Sequence, residues 1–471
     1  SGPAGLTAGY YLARLGHSVT VFEALPEPGG MVRVGIPRYR LPEDVLDNEI
    51  ERVRSTGVDI KTNCGVESLD SLREQGYDAV FLAMGAHQGT RMNVEGEDCE
   101  GVIDGVSFLR DVNLGNEVKL GSRVAVVGGG NAAIDAARTA LRLGAAEVTV
   151  VYRRSRDEMP ASSGEVEAAL DEGVKFLFLA TPKRISRNDG ELGLQCVRTE
   201  LGEPDASGRR RPTPVDGSEF EMAVDTVIPA IGQASDIPDS FELDIVAGGR
   251  IKVDPKTLAA STKGVFAGGD VTAGPASVIE AIAAGRQAAA SIDIYLGGSG
   301  DISESLAKAE EASPWIGRDE GFGDTLRAPM PCQPVEQRAG SFSEVETGLD
   351  QQDAAQEAGR CLRCDLRLRM SPVMRPPDEW LELTQESVDA APETDGVFRL
   401  FDQKKEVIYI GSGQNIREEL RGLDPDIDEW VDKARYLHYE ETLMYTMRES
   451  ELLQQFLQEH GRLPEGNEEF F

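Results

Sequence analysis

Short apolar runs that end in small-residue turns recur along the first 300 residues, and each turn leads into an Ala/Leu-rich stretch with helical spacing. The pattern is clearest at Val124–Val127, an apolar strand that breaks at Gly128-Gly129-Gly130, passes through a helix and re-emerges as the strand Val148–Tyr152, followed by Arg153-Arg154. Residues 2–23 repeat it without an opening strand: a Gly-rich turn, a helix, then Ser18-Val19-Thr20-Val21-Phe22-Glu23. A third run, Gly264-Val265-Phe266-Ala267, ends in Gly268-Gly269-Asp270 and leads into the helical stretch Ala276 to Leu296. Ala83-Met84-Gly85 and Ala230-Ile231-Gly232 read as crossovers after apolar strands. Strands alternating with helices in this way predict an α/β fold with two Rossmann-like dinucleotide-binding domains. The first domain spans residues 1–110 and 245–300, interrupted by a second over 111–244. Because a nucleotide-binding turn is normally fed by a buried strand, the first strand is expected upstream of Ser1.

The turns carry the candidate chemistry. Gly2 allows a pyrophosphate close to the backbone, and Gly5 allows the following helix to pack on the sheet. The helix start offers free N–H groups and a positive dipole end to phosphates. Glu23, ending the next strand, is placed to accept hydrogen bonds from ribose hydroxyls. In the second turn, Gly128-x-Gly130-x-x-Ala133, an acidic residue after the next strand would suit NAD. Arg153 and Arg154 stand there instead and suit the 2′-phosphate of NADP, although exposed Arg is compatible with NAD.

The first turn, Glu23, Gly29-Gly30 and Gly269-Asp270, in this order, resemble the two-dinucleotide-binding flavoproteins. Gly35-Ile36-Pro37-Arg38-Tyr39-Arg40-Leu41-Pro42 resembles a signature of the glutamate synthase small-subunit family, as does Tyr152-Arg153-Arg154 with Met159-Pro160. The resemblance covers residues 1–300. It implies FAD in the first domain, with Glu23 on its ribose and Asp270 on its ribityl chain, and the helix near Ala276-Ser277 pointing at the flavin. Pro3, Ala4, Gly30, Met31, Arg40, Gly85 and Gly269 complete the implied FAD residues. It implies a nicotinamide dinucleotide in the second domain, near Gly128, Gly130, Asn131, Ala132 and Gly232.

Composition narrows the alternatives. A net charge of −34 disfavours a nucleic-acid surface, which needs cations to displace counterions. No apolar stretch is long enough for a membrane span, and six Cys in 471 residues make no disulfide scaffold; a cytoplasmic protein with reduced thiols is expected. Cys64, Cys99 and Cys196 stand alone in sequence. Cys361 and Cys364 form a close pair in the polar segment 301–377, and with Cys332 would give three ligands to a [4Fe-4S] cluster whose fourth comes from upstream or from a partner; ordinary structural thiols are the alternative.

From residue 378 a separate module begins, with 24 Asp/Glu against 9 Lys/Arg. Gly396-Val397-Phe398, Tyr409-Ile410-Gly411 and Pro464…Asn467 resemble the GIY-YIG nuclease fold, a small α/β module. The likeness departs at the active site. Phe398 stands where that family has a catalytic Tyr, Glu419 where it has a catalytic Arg, and Gln454–Gln455, or Glu451 after a gap, where it has a metal-binding Glu. An inactive module serving as a contact surface is expected, with a solvated appendage as the plainer alternative.

The reading is an FAD-dependent NAD(P)H:acceptor oxidoreductase, a complex subunit that passes electrons to a redox partner subunit with iron–sulfur clusters, with no membrane and no nucleic acid expected. A flavin-dependent disulfide or dithiol reductase is the alternative, disfavoured because no cysteine pair lies near the flavin motifs. A nucleic-acid-acting protein defined by its C-terminal module is the third reading.

Overall fold

The computed structural model describes residues 1–188, 191–205, 208–303, 326–359, 377, 380–423 and 430–470. Among these, one compact unit comprises 1–303 and 330–348, and a second comprises 326–329, 349–359 and the residues from 377 onward.

Alternation within single strands explains the middle of the first unit. The parallel strands run in the order Thr226–Pro229, Arg123–Val127, Glu147–Tyr152, Lys175–Phe178. Successive side chains point to opposite faces. Val124, Val126, Val148 and Val150 therefore bury against Ala133, Ile134 and Ala137 of the helix Asn131–Arg142. Ala125, Val127 and Val151 bury on the other side against Ile185, Leu194 and Val224. These belong to an antiparallel sheet formed by Ala180–Asn188, Glu191–Pro204, Arg210–Pro214 and Phe220–Val224.

The flanking segments build the other half of this unit. Thr20–Phe22 pairs in parallel with Asp59–Lys61. Val265–Ala267 pairs in parallel with Val80–Leu82, so the chain returns to its starting domain after the insertion. The helices Pro3–Arg14 and Val278–Tyr295 pack together because position 285 is glycine: a Cβ there would lie 2.4 Å from the carbonyl oxygen of Ala4. The two crossovers meet, Gln88–Gly89 pairing antiparallel with Gln233–Ala234. This ribbon joins the two halves.

Residues 330–348, within the polar segment read as a linker, pack on the first unit. Val345 N–H donates to Tyr39 O at 2.9 Å, and the rings of Tyr39 and Phe342 lie 6.4 Å apart.

The second unit holds a four-stranded antiparallel sheet in the order Leu381–Glu382, Tyr436–Glu441, Gly396–Phe401, Val407–Gly413. The two motifs singled out in the sequence are paired neighbours, Phe398 opposite Gly411 and Gly396 opposite Gly413. Helices Ile416–Arg421 and Tyr445–His460 contribute Ile416, Leu420, Leu452 and Phe456 to its cores.

Candidate functional site

A cleft of about 1140 Å³ follows the first domain's parallel strands and reaches the start of the second domain's helix. It gathers Gly2, Pro3, Ala4, Gly5, Glu23, Gly30, Met31, Arg40, Gly85, Gly269, Asp270, Ala276 and Ser277 from the first domain, and Asn131 and Ala132 from the second. Gly128, Gly130, Gly232, Arg153 and Arg154 do not line it.

The floor is built by close backbone approach. Gly30 has φ +56°, and a Cβ on it would sit 2.7 Å from Gly2 Cα. Only two glycines allow this contact, which leaves the N-terminal end of helix Pro3–Arg14 bare for a phosphate. Glu23 is buried at the strand end. Its Oε1 accepts from Leu25 N–H at 2.8 Å, and its Oε2 accepts from Ser1 Oγ at 2.6 Å. The carboxylate is thus held pointing into the first turn, where a ribose diol would compete for the same oxygens. At the opposite wall, burial pushes the Asp270 carboxyl above the usual carboxylate range; the charge of Glu280 adds to this, and the Ala276 backbone N–H opposes it. Helix Val278–Tyr295 starts at a capping box: Ser277 Oγ accepts from Glu280 N–H at 3.2 Å, and Glu280 Oε2 accepts from Ser277 N–H at 2.8 Å. These bare backbones and the buried acid fit a dinucleotide cofactor.

In the second turn, a Cβ on Gly128 would lie 2.2 Å from Ala230 O, and one on Gly129 would lie 2.4 Å from the Tyr152 ring; nothing faces Gly130. The first two glycines serve packing, and the third opens the helix start to a ligand. The two arginines after the next strand part ways. Arg153 is exposed. Arg154 is buried, its Nε donating to Arg210 O and its Nη2 to Asp205, both at 2.7 Å. Arg154 therefore ties the antiparallel sheet to the strand end.

Arg40 also has a protein partner. Its Nη1 meets both oxygens of Asp135, at 3.0 and 2.9 Å, across the two domains. Asp135 and His87 line the cleft and escaped the sequence reading. Asp135 lies one helical turn beyond Asn131, a charged residue on an otherwise Ala-rich face, and that was its signal. Burial pushes its carboxyl up to about 6 against the pull of Arg40, and burial also holds the His87 imidazole below its ordinary range.

Of the cysteines, Cys361 and Cys364 lie outside the described residues. Cys332 is an exposed free thiol, and Cys64, Cys99 and Cys196 are free; burial pushes Cys196 up to about 12. No described cysteine lines the cleft. Among the described residues no group of three or more His, Cys, Asp and Glu could hold a metal ion, and no helix is long and apolar enough to cross a membrane.

In the second unit, Phe398 is buried in the core and Glu419 is exposed. The nearby cations are engaged away from Glu419: Arg417 Nε donates to Ala391 O at 2.7 Å, and Arg421 Nη2 donates to Asp389 at 2.5 Å. Glu451 accepts from Arg448 at 3.2 Å.

The family described as pyridine nucleotide-disulphide oxidoreductase matches residues 1–285. A domain of unknown function (DUF7508) matches residues 374–459, so the comparison gives the C-terminal module no nuclease assignment. The chain is 49% identical over 382 residues to the NADP(+)-dependent formate dehydrogenase subunit beta of Moorella thermoacetica, covering 77% of this chain and 53% of that one. It is 43% identical over 411 residues to the NADPH-Fe(3+) oxidoreductase subunit beta of Geobacter sulfurreducens, covering 77% and 60%. A putative glutamate synthase (NADPH) small chain of Cereibacter sphaeroides is 38% identical over 312 residues, covering 63% of this chain and 75% of that one. The chain thus spans little more than half the length of the first two relatives. The solved structure of Mycobacterium tuberculosis FprA in complex with NADPH shares the fold, with a TM-score of 0.54 at 20% identity, over 63% of this chain and 83% of that one. The chain belongs to the pyridine nucleotide-disulphide oxidoreductase family.

Proposed function

We propose that this chain is the NADPH-oxidising FAD subunit of a larger, cytoplasmic electron-transfer enzyme, delivering electrons to iron–sulfur centres of a partner subunit. One observation carries the reading: a single cleft joins the first domain's phosphate turn and Asp270 to Asn131 and Ala132 at the second domain's helix start. Two dinucleotides held in those places meet in one space. The cofactors supply hydride transfer from nicotinamide to flavin; the protein supplies approach and orientation.

Each residue then has a task. Gly2 and Gly30 admit the FAD pyrophosphate, Glu23 holds the ribose and Asp270 the ribityl hydroxyls. The start of helix Val278–Tyr295 places its positive dipole end at the flavin, favouring negative charge on the reduced ring. Gly130, Asn131 and Ala132 take the pyrophosphate of the second dinucleotide. Arg153 takes the 2′-phosphate of NADPH, with Arg154 shaping the site behind it. The absence of described cysteines from the cleft favours an external acceptor over a dithiol. The names of the relatives, subunits beta and a small chain, accord with a partner.

For the C-terminal module we propose a GIY-YIG-like scaffold that has become a contact surface. The pairing of its two strand motifs and the burial of Phe398 support this, as does the acid at position 419.

The test is an anaerobic titration of the FAD-loaded chain with NADPH and, separately, NADH. Stoichiometric bleaching of the flavin by NADPH, with slower bleaching by NADH, is expected. A flavin that stays oxidised with both would overturn the reading.

A further inference from the structure

Apart from Arg40, nothing in the cofactor assignment uses the charged seam where the two nucleotide domains meet. Its centre is Glu172, whose side chain is wholly buried. It accepts from Arg138 Nε at 3.0 Å and Nη2 at 2.6 Å, and from Arg142 Nη1 at 2.7 Å and Nη2 at 3.1 Å. Arg338, from the 330–348 segment, forms an ion pair with it, Nε lying 3.4 Å away. Arg138 also reaches Glu165, which lies 3.2 Å from Arg40 Nε. Arg40 closes the chain on Asp135 at the cleft wall. Tyr39, fully buried, has the guanidinium carbons of Arg138 and Arg142 over its ring at 4.8 and 3.8 Å. Tyr39 and Arg40 come from the first domain; Asp135, Arg138, Arg142, Glu165 and Glu172 come from the second. The 330–348 segment closes over both, Ser341 O accepting from Arg142 and Val345 N–H donating to Tyr39 O, each at 2.9 Å.

This seam is one of several attachments between the domains, which also include Asn113 Nδ2 donating to Val34 O and Ile36 O and the bridges Glu95–Arg184 and Val102–Val227. Another is the backbone ribbon Gln88–Gly89 with Gln233–Ala234. The seam differs from these in that its Arg40–Asp135 end lies in the wall of the cleft beside Asn131 and Ala132. We propose that Arg40 and Asp135 are positioning residues: Arg40, held by Asp135 through Nη1 and by Glu165 through Nε, fixes the nicotinamide-binding helix start against the flavin-binding floor, and so sets the hydride-transfer distance. A guanidinium held by two carboxylates through different nitrogens is fixed in angle as well as separation. The balanced step is NADPH plus oxidised FAD plus a proton giving NADP⁺ and reduced FAD, with the hydride's electron pair moving to the flavin; Arg40 and Asp135 exchange nothing in it. The inference rests on the hydride-transfer reading above.

The experiment uses the full chain with Asp135→Asn, Arg40→Gln, their double variant, and Glu165→Gln as a milder probe of the same seam. Rapid mixing of the FAD-loaded proteins with NADPH measures flavin reduction, and NADPH affinity is measured on the same preparations. Because a misplacement of about 1 Å costs on the order of 100-fold in rate, each single change at Arg40 or Asp135 should slow reduction roughly 10- to 100-fold. In Asp135→Asn, FAD content and NADPH Kd should stay within about twofold. The double variant should be no slower than the slower single, the mark of two residues acting as one unit. Hydrogen exchange on the cofactor-free proteins gives an independent readout: amides of Gln88, Thr90 and Gln233 should exchange faster in Asp135→Asn, with those of Arg123–Val127 unchanged. Loss of NADPH affinity matching the loss of rate would overturn the proposal, making these residues cofactor contacts. So would unaltered reduction rates, or faster exchange throughout the central sheet. Failure of the wild-type flavin to bleach would instead refute the functional reading.

Discussion

Replacing Glu172 by Gln tests whether the interdomain seam is a structural requirement. The change keeps shape and removes one charge. Three guanidinium groups converge on this carboxylate, which has no exposed side-chain surface. Gln offers one acceptor oxygen where the carboxylate had two, and turns an N–H₂ donor toward groups that are all donors. Summing the lost bonds would overstate the effect, because they share one acceptor group and are not independent. The better guide is the cost of removing one partner from a buried ion pair, about 3–5 kcal/mol. Because a domain of several hundred residues shifts by roughly 2 °C per kcal/mol, the first unit should melt about 8 °C lower. Calorimetry on the full chain, with and without FAD, is the assay, and the offset should appear in both states. Glu167→Gln is the control: Glu167 is exposed and pairs with exposed Arg156 at 3.3 Å, so its loss should cost less than about 1 kcal/mol. A shift for Glu172→Gln no larger than the control's would refute the reasoning.

The other predictions concern charge, cofactor and metal. Asp135 faces Arg40, Glu165, Arg138 and Tyr39, and its carboxyl is raised to about 6; stability from this group is full below its unfolded pKa and is lost as pH rises through about 6. By linkage, wild type should lose roughly 1.4 kcal/mol relative to Asp135→Asn between about pH 5 and about pH 8, and parallel denaturation midpoints across that range would contradict the shift. Asp270→Ala should release FAD on desalting while leaving the melt of the second domain in place; undiminished flavin content would remove Asp270 from the site. Arg153→Ala should raise the NADPH KM about tenfold or more with little change for NADH, through loss of one charge-assisted contact; Arg154→Ala should impair both cofactors by freeing the Arg210–Asp205 region, and equal effects of Arg153→Ala on both cofactors would count against NADP selectivity. Anaerobically prepared protein carrying native partners should hold iron that disappears on changing Cys361 and Cys364 to Ser; no iron in the wild type under those conditions would make the thiols structural.

What could be read from the sequence was what is local. A Gly-rich turn, the strand before it and the helix after it lie within about 30 residues, and their geometry follows from backbone sterics. Hence the turns at residues 2–5 and 128–130, the Gly269-Asp270 strand end and the helix start at Ser277 were all legible. The paired motifs of the C-terminal hairpin were legible for the same reason. Long-range partnership was not. Arg40 was given to the cofactor by the family resemblance alone; its protein partner lies 95 residues away on another domain. Arg153 and Arg154 looked equivalent as neighbours, and only a hairpin about 50 residues on separates them by engaging Arg154. The segment 330–348 read as a linker because it is polar. Its attachment rests on a few anchors, Phe342 and Val345 at Tyr39 and Arg338 at Glu172, too sparse to form a periodic pattern.

The chemistry of the seam also explains why it is charged. An apolar interface of similar volume is often as stable as a buried ion pair or more so, because charges must be desolvated, and the raised carboxyl of Asp135 records that cost here. Stability alone therefore does not account for Arg40 and Asp135. A guanidinium held by Asp135 through Nη1 and by Glu165 through Nε, however, loses charge-assisted contacts when any of the three partners turns. Hydride transfer is sensitive to displacements of about an ångström, so a contact whose energy falls steeply with angle suits the cleft wall. The deeper part of the seam obeys a different demand. Around Glu172 the guanidinium groups of Arg138 and Arg142 are buried and multiply bonded, and Arg142 Nε also donates to Ser341 O of the 330–348 segment. On this division, Glu172 governs how the second domain's helix is tied to the 330–348 segment, and Arg40 with Asp135 governs how the two domains are aligned. Glu172→Gln should then lower the melting temperature far more than Asp135→Asn does, while Asp135→Asn should slow flavin reduction more than its small effect on the melt would suggest. If rate and melting temperature fall in proportion across the seam, there is no division of labour, and the seam is a structural joint alone.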